Sequence, residues 1–173
     1  YPVLVRTVSW LGVWSVFCTL MLTMHMPFSV MVCFHNSFVI DALTGLLKGM
    51  ILCSTAAAML MSTEYLKTSL LNVFEYSVLL LFSTISMLFL VSSYDFISMY
   101  LAIEMQSLCF YVLAASKRNS EFSTEAGLKY FILGAFSSGF FLFGSSIIYG
   151  LTGSVCFEDF KDLFFWVFPG SFL

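Results

Sequence analysis

The stretch that decides the fold is residues 96–116, FISMYLAIEMQSLCFYVLAAS, in which Glu104 is the one charged side chain. Crossing about 30 Å of hydrocarbon takes about 20 helical residues, which is close to the length of this run. A backbone in lipid must satisfy its own hydrogen bonds, so the run predicts a transmembrane helix. The alternation of polar and apolar residues that is typical of a membrane β-barrel strand does not occur in it.

Four other apolar runs have a similar length, and five transmembrane helices are therefore predicted: 8–32, 38–62, 73–92, 96–116 and 126–150. Together they predict an all-α membrane bundle, residues 8–150, in which short connections place each helix antiparallel to its neighbour. Residues 1–7 form a polar entry. Residues 151–173 form a polar loop and an apolar tail that is too short to span a bilayer.

The composition also indicates a chain embedded in lipid. Charged residues are 10% of the sequence, against roughly 25% in soluble proteins, and the mean hydropathy is +0.98. Seven basic and ten acidic residues cannot form the charged surface that a soluble protein of this size needs. We therefore expect the lipid bilayer to be the main solvent, and we expect no nucleic-acid partner.

The sequence has no pattern typical of a cofactor or metal site. Its five cysteines include no CxxC pair, and it has neither a glycine-rich phosphate loop nor a nucleophile elbow. His25 and His35 lie at the end of one run and in the connection after it, an arrangement that does not suit bis-histidine haem ligation between facing helices. We expect this chain to bind no cofactor or metal ion and to carry no catalytic redox residue.

The distribution of lysine and arginine predicts the orientation. With five crossings, one side of the membrane receives Arg6, Lys67, Lys117 and Arg118, and the other receives Lys161. The positive-inside rule then places the amino terminus on the cytoplasm-like side, which in a mitochondrion is the matrix.

Glu104 is the most informative residue of the chain. It is the ninth residue of its run, so it lies about 12 Å from the nearer helix end and cannot reach the interface. An acidic side chain at a helix centre costs about 2.5–3.5 kcal/mol, so it must be protonated, paired or hydrated. Two interpretations stay open: a proton or ion pathway, and a structural contact with a neighbouring helix through Gln106, Ser107 or a lysine.

Lys129 is the second candidate residue of the proton pathway, and Glu125, Lys48 and Asp41 are possible supporting residues. Glu125 precedes Lys129 by four residues, the order that favours a helical ion pair, so the two form either an interfacial pair or part of a relay. In the second case Lys129 faces Glu104 across the seam of two antiparallel helices, as a coupled proton relay requires. Asp41 and Lys48 share a helix face two turns apart. A bridge between them needs water or a third group, and we interpret them as bundle electrostatics.

Two consecutive segments carry a family resemblance: SSYDFISMYLAIEMQSLCFYVLAAS at 92–116 and KRNSEFSTEAGLKYFILGAFSSG at 117–139. They resemble the chain 2 family of NADH:ubiquinone oxidoreductase (respiratory complex I), most closely its mitochondrially encoded forms. The resemblance implies an antiporter-like, proton-translocating subunit of the membrane arm. The glutamate of the family's A-I-E-x-Q-S-L motif, part of a proton half-channel, falls on Glu104, and the lysine of its E-A-x-x-K-Y-F motif falls on Lys129.

The same resemblance implies partners, location and a division of labour. The chain would be a non-redox subunit of a proton-translocating NADH:ubiquinone reductase (a translocase) in the mitochondrial inner membrane. NADH, FMN, iron–sulfur clusters and ubiquinone would be bound by other subunits. Full-length members have later helices, including a broken helix with a key lysine, so we expect a second polypeptide or further sequence to supply them. A free-standing cation/proton antiporter subunit and a purely structural membrane scaffold stay open as alternatives.

Overall fold

The computed structural model describes residues 2–25, 30–68, 74–117 and 119–161. Five long helices and one hairpin follow each other along these residues: α1 (Pro2–His25), β1 (Met31–Cys33), β2 (Phe38–Ile40), α2 (Ala42–Thr68), α3 (Glu75–Ser92), α4 (Phe96–Ala114) and α5 (Glu121–Thr152). All five helices are long and apolar enough to cross a membrane. The predicted five-helix membrane bundle is confirmed.

The first two predicted helices have different bounds in the structure. α1 covers residues 2–25 instead of 8–32, and α2 covers 42–68 instead of 38–62. Residues 30–40, VMVCFHNSFVI, are rich in the β-branched and aromatic residues that favour strands. Hydropathy does not distinguish a short apolar strand from the end of an apolar helix, so the hairpin was not predicted.

The bounds of the other helices differ at their polar ends. α3 begins at 75 instead of 73, α4 ends at 114 instead of 116, and α5 covers 121–152 instead of 126–150. The start of α5 differs most because the polar segment before residue 126 is itself helical. Glu121 in its first turn suits the positive end of the helix dipole. The change from polar to apolar sequence therefore marks the edge of the apolar segment and not the end of the helix.

The hairpin is antiparallel, with Met31 paired to Ile40 and Cys33 to Phe38. A hydrogen bond of 3.1 Å from the amide of Ser37 to the carbonyl of Phe34 closes its turn. Phe34, His35 and Asn36 have φ angles of 56°, 53° and 67°. Four residues, 34–37, therefore connect the paired ends Cys33 and Phe38, and three of them adopt the left-handed backbone that is uncommon for residues other than glycine.

Side chains from α1, α2 and α3 form the core of the bundle. Val16, Leu52 and Met59 are buried there, and leucines of α3 pack against them. Hydroxyl groups add polar contacts between helices: the Ser9 and Ser77 oxygens lie 2.9 Å apart, and both residues are almost fully buried. Such contacts suit a bundle in lipid, where apolar side chains gain little by leaving the acyl chains to pack against one another.

Three segments meet at one end of the bundle, and we call them the cap: the hairpin region 30–41, the α3–α4 turn 93–95 and the segment 153–161 after α5. The amide of Tyr94 donates to the carbonyl of Ser37 at 2.8 Å, and the amide of Phe96 donates to that of Val155 at 3.1 Å. The ends of successive helices therefore alternate between the two sides of the bundle. The predicted apolar tail, 163–173, lies outside the described residues, as do residues 69 and 70 of the predicted connection 64–70 and residues 71–73.

Candidate functional site

α4 and α5 meet along one face of each helix. The rings of Tyr100 and Phe141 stack with centroids 6.0 Å apart, and Tyr111 makes edge contacts with Tyr130 and Phe131 at 4.9 and 5.6 Å. Along each helix these positions recur at helical spacing, so they define one stripe per helix. We call the contact between the two stripes the seam.

Two glycines of α5 allow the seam to close. A Cβ atom built at Gly134 would overlap the hydroxyl oxygen of Tyr111, and one built at Gly127 would lie 2.6 Å from the Cβ of Ala115. Small residues at such positions allow the close backbone approach that holds membrane helices together. The many small residues of α5 therefore serve packing at least at these two positions.

Glu104 lies on the seam stripe of α4, four residues after Tyr100 and seven before Tyr111. Its side chain is half-buried, and its Oε2 atom is shielded and has no hydrogen-bond partner among the described residues. At 1.5 Å per residue it lies about 12 Å along α4 from Phe96. A carboxylate oxygen is thus held at mid-depth between two helices without a donor in the part of the chain that the structure describes.

The seam contacts also set the level of Glu104 relative to α5. Tyr100 lies opposite Phe141, and Ala115 lies opposite Gly127. Counting four residues along both antiparallel helices from the first pair places Glu104 level with residue 137 of α5, and counting eleven from the second pair places it level with residue 138.

Lys129 lies on the other side of α5. Its Nζ is 2.5 Å from Oε1 of Glu125, and the two side chains are 68% and 57% exposed. Two helical residues beyond Gly127, it is rotated about 200° away from the seam, and it lies about 13 Å along the axis from the level of Glu104. The structure therefore forms the local ion pair of Lys129 and Glu125 and does not bring Lys129 to Glu104.

Asp41 and Lys48 are also separate. Asp41 precedes α2, and its amide and carbonyl both hydrogen-bond the hydroxyl of Thr44 at 2.7 Å. The Oδ1 atom of Asp41 is shielded and has no hydrogen-bond partner among the described residues. Lys48 is half-buried and lies between one and two turns after the start of α2. No ion pair joins the two in the described part of the chain, so their supporting role stays a prediction.

The cap contains a polar cluster that the sequence does not predict. Asp95, at the start of α4, is only 7% exposed, and it pairs with Cys156 in an isolated antiparallel bridge. Hydrogen bonding of the thiol to the Asp95 side chain, together with burial, raises the pKa of Cys156, and burial and Glu158 raise the pKa of Tyr94. The partners are some sixty residues apart in sequence, so no local motif could have indicated the cluster. In the described ranges, no three His, Cys, Asp or Glu side chains are grouped as a metal ion requires.

The helices that form the seam are similar to those of a known protein family. Residues 93–170, which include α4 and α5, match the family described as NADH:quinone oxidoreductase/Mrp antiporter, TM. NADH-ubiquinone oxidoreductase chain 2 of Marchantia polymorpha is 57% identical over 165 residues, which are 95% of this chain and 34% of that protein. The chain is homologous to the chain 2 family of NADH-ubiquinone oxidoreductase.

Other members and a solved structure extend the relationship. Chain 2 of Arabidopsis thaliana is 51% identical over 92% of this chain and 32% of its own length, and subunit N of the NADH-quinone oxidoreductase of Paramagnetospirillum magneticum is 47% identical over 76% and 27%. A chain of respiratory complex I from Thermus thermophilus, solved with bound aureothin, superimposes with a TM-score of 0.73 at 25% identity, covering 88% of this chain and 33% of that one. The chain thus spans about a third of the length of its chain 2 relatives.

Proposed function

We propose that this chain is part of a proton-translocating, antiporter-like subunit of the membrane arm of respiratory complex I. It contributes part of one proton half-channel, coupled to NADH:ubiquinone oxidoreduction that takes place on other subunits. The observation that carries the proposal is the shielded, unpaired Oε2 of Glu104 at mid-depth in the seam. Intramembrane carboxylates in such places are kept for function, because their burial is costly.

Homology supports the coupling to NADH oxidation. The matched relatives are named as NADH-ubiquinone and NADH-quinone oxidoreductase chains, and the identity of 57% over nearly the whole chain includes the segment around Glu104. NADH, FMN, iron–sulfur clusters and ubiquinone are then bound elsewhere in the complex. The same relatives, together with the five apolar helices, support a place in the mitochondrial inner membrane.

In the proposed function Lys129 acts from the face of α5 that points away from α4, and not from the seam. Because Lys129 and Glu125 point away from α4, a helix from outside the described chain must approach α5 to couple them to a proton path. The chain spans about a third of its relatives, and the later helices supplied by another polypeptide or by further sequence are the proposed partner. Other membrane-arm subunits complete the surroundings.

The test is Glu104→Gln in the assembled complex. We expect NADH-driven proton pumping, measured by a pH-sensitive dye in reconstituted vesicles, to be lost while the complex still assembles. Glu121→Gln, at an exposed position in the first turn of α5, is the matched control and should leave pumping unchanged. Unimpaired pumping in the Glu104 variant would leave only the scaffold interpretation.

A second function is favoured by the family description, which also names Mrp antiporters. A free-standing cation/proton antiporter subunit would exchange Na⁺ or K⁺ for protons in vesicles without NADH. Co-purification of the chain with NADH-oxidising activity, and pumping that requires NADH, distinguish the complex I subunit from this alternative.

A further inference from the structure

The α4–α5 seam contains one hydroxyl group at the level of Glu104. Ser138 belongs to the seam stripe of α5, four residues beyond Gly134 and three before Phe141, and it is less exposed than its neighbours Ser137 and Gly139. The level deduced from the ring contacts, residues 137–138, coincides with it. Of the two adjacent serines, Ser138 faces α4 and Ser137 is exposed away from it.

The existing hydrogen bond of Ser138 leaves its hydroxyl group able to accept, but not to donate, a hydrogen bond toward Glu104. Its hydroxyl proton is donated to the carbonyl oxygen of Ala135 at 3.0 Å, within α5. A serine hydroxyl has one donor and two acceptor lone pairs, so the oxygen is left as an acceptor toward the seam. An acceptor is matched by a protonated carboxyl group, which carries one O–H donor, and not by a carboxylate.

Ser107 is the serine on the seam stripe of α4, which also carries the phenolic hydroxyl groups of Tyr100 and Tyr111. Its hydroxyl donates to the carbonyl of Ile103 at 2.8 Å, and it lies one turn beyond Glu104 toward the carboxyl end of the helix. Helical side chains lean toward the amino terminus of their own helix, so the carboxyl group of Glu104 leans away from Ser107. Of the two serines, Ser138 on the facing helix is therefore the better-placed acceptor.

On the basis of the proposed function, we infer that Ser138 is a positioning residue for the proton carried by Glu104: its hydroxyl oxygen accepts a hydrogen bond from the protonated carboxyl group. The bond forms when Glu104 takes up a proton, and it is released when the proton leaves. Because packed helices lie about 8–10 Å apart, a side-chain rotation of Glu104 suffices, and no helix has to move.

The experiment uses Ser138→Ala in the assembled complex, with Ser137→Ala as the matched control. The carbonyl stretching band of protonated Glu104 is assigned in infrared difference spectra as the band that disappears in Glu104→Gln. We expect Ser138→Ala to shift this band to higher wavenumber, because a carboxyl group that no longer donates a hydrogen bond has a stiffer C=O bond. Coupled pumping should fall about fivefold, the effect of one lost hydrogen bond. Ser138→Thr, which keeps the hydroxyl, should restore both.

The remaining outcomes overturn the inference. These are an unshifted band in Ser138→Ala, equal effects of Ser137→Ala and Ser138→Ala, and the lack of any carboxyl band that depends on Glu104. The proposed function fails separately, since it is rejected only when Glu104→Gln leaves pumping intact. If Glu104→Gln abolishes pumping while Ser138→Ala has normal spectra and normal pumping, only the role of Ser138 is rejected and the proposed function stands.

Discussion

Glu104 and Lys129 are both charged side chains on apolar helices, but their surroundings differ. Glu104 has a shielded oxygen between two helices, whereas Lys129 has an acidic partner one turn away and is mostly exposed. An exposed ion pair at this spacing contributes only about 0.3–0.5 kcal/mol. The two residues therefore act as separate sites within the chain.

This separation predicts additive effects on stability. The changes in the free energy of unfolding for Glu104→Gln and Lys129→Gln should sum, within about 0.5 kcal/mol, to that of the double variant, because the side chains share no partner. Steric trapping in lipid nanodiscs measures all three. A coupling above about 1 kcal/mol would mean that the two side chains meet, contrary to the structure.

Gly134 is a residue at which a single methyl group matters. Gly134→Ala places a Cβ against the hydroxyl of Tyr111, whose ring is held between Tyr130 and Phe131. We expect a loss of about 1–3 kcal/mol in the free energy of unfolding, the usual cost of overpacking. Gly139→Ala is the control, since its Cβ would meet nothing within 4 Å. Equal effects of the two substitutions would contradict the seam geometry.

At the level of elements, α5 is longer than a bilayer requires. Its 32 residues extend about 48 Å, while the hydrocarbon core is about 30 Å thick. The apolar part begins after Lys129, so the ion pair with Glu125 can lie at the headgroup level while the seam stays in the hydrocarbon. This placement agrees with the interfacial interpretation that the sequence left open.

The cap joins elements that are distant in sequence, and the thiol of Cys156 reports on it. Because the bond to Asp95 raises the pKa of Cys156, less thiolate is present at pH 8 and alkylation is slow. Asp95→Asn should lower this pKa and speed alkylation, about tenfold for each unit of change. Mass spectrometry of the peptide that contains Cys156 measures the rate between pH 7 and 10.

Asp159→Asn is the control for this measurement, since Asp159 acts on Cys156 only through its charge and as a weaker cause. An effect of Asp159→Asn as large as that of Asp95→Asn would show that the hydrogen bond is not the main cause. The hydrogen bond between Cys156 and Asp95 stabilises the folded chain fully at pH values below the ordinary thiol pKa of about 8.5. This stabilisation is lost as the pH rises through the raised pKa of Cys156.

For the whole molecule, the alternating helix ends put the cap and the α4–α5 connection on opposite sides. The basic residues of the sequence predict that the connection faces the matrix. A membrane-impermeant maleimide should therefore label Asp159→Cys but not Lys117→Cys in mitoplasts, and inverted inner-membrane vesicles should give the opposite result. Labelling of Lys117→Cys in mitoplasts would reverse the predicted orientation.

Sequence alone determined the membrane environment and the number of apolar helices that the described residues form, and it singled out Glu104 as the candidate site residue. These follow from run length and from the cost of burying a charge, both of which are local properties. The hairpin at 31–40 was missed because its apolar residues satisfy the same hydropathy rule as a helix end. The early start of α5 was missed because a change in polarity marks the edge of the apolar segment and not the residue at which the helix begins.

Only the tertiary structure decided which charged groups meet. The spacing of Glu104 and Lys129 allowed both to face the seam, but the rotation of α5 is set by Gly127 and Gly134, which fit against Ala115 and Tyr111. That rotation turns Lys129 outward and Ser138 inward. Helix packing selects one face of each helix through the shapes of many side chains at once, so periodicity within one segment could not have determined it.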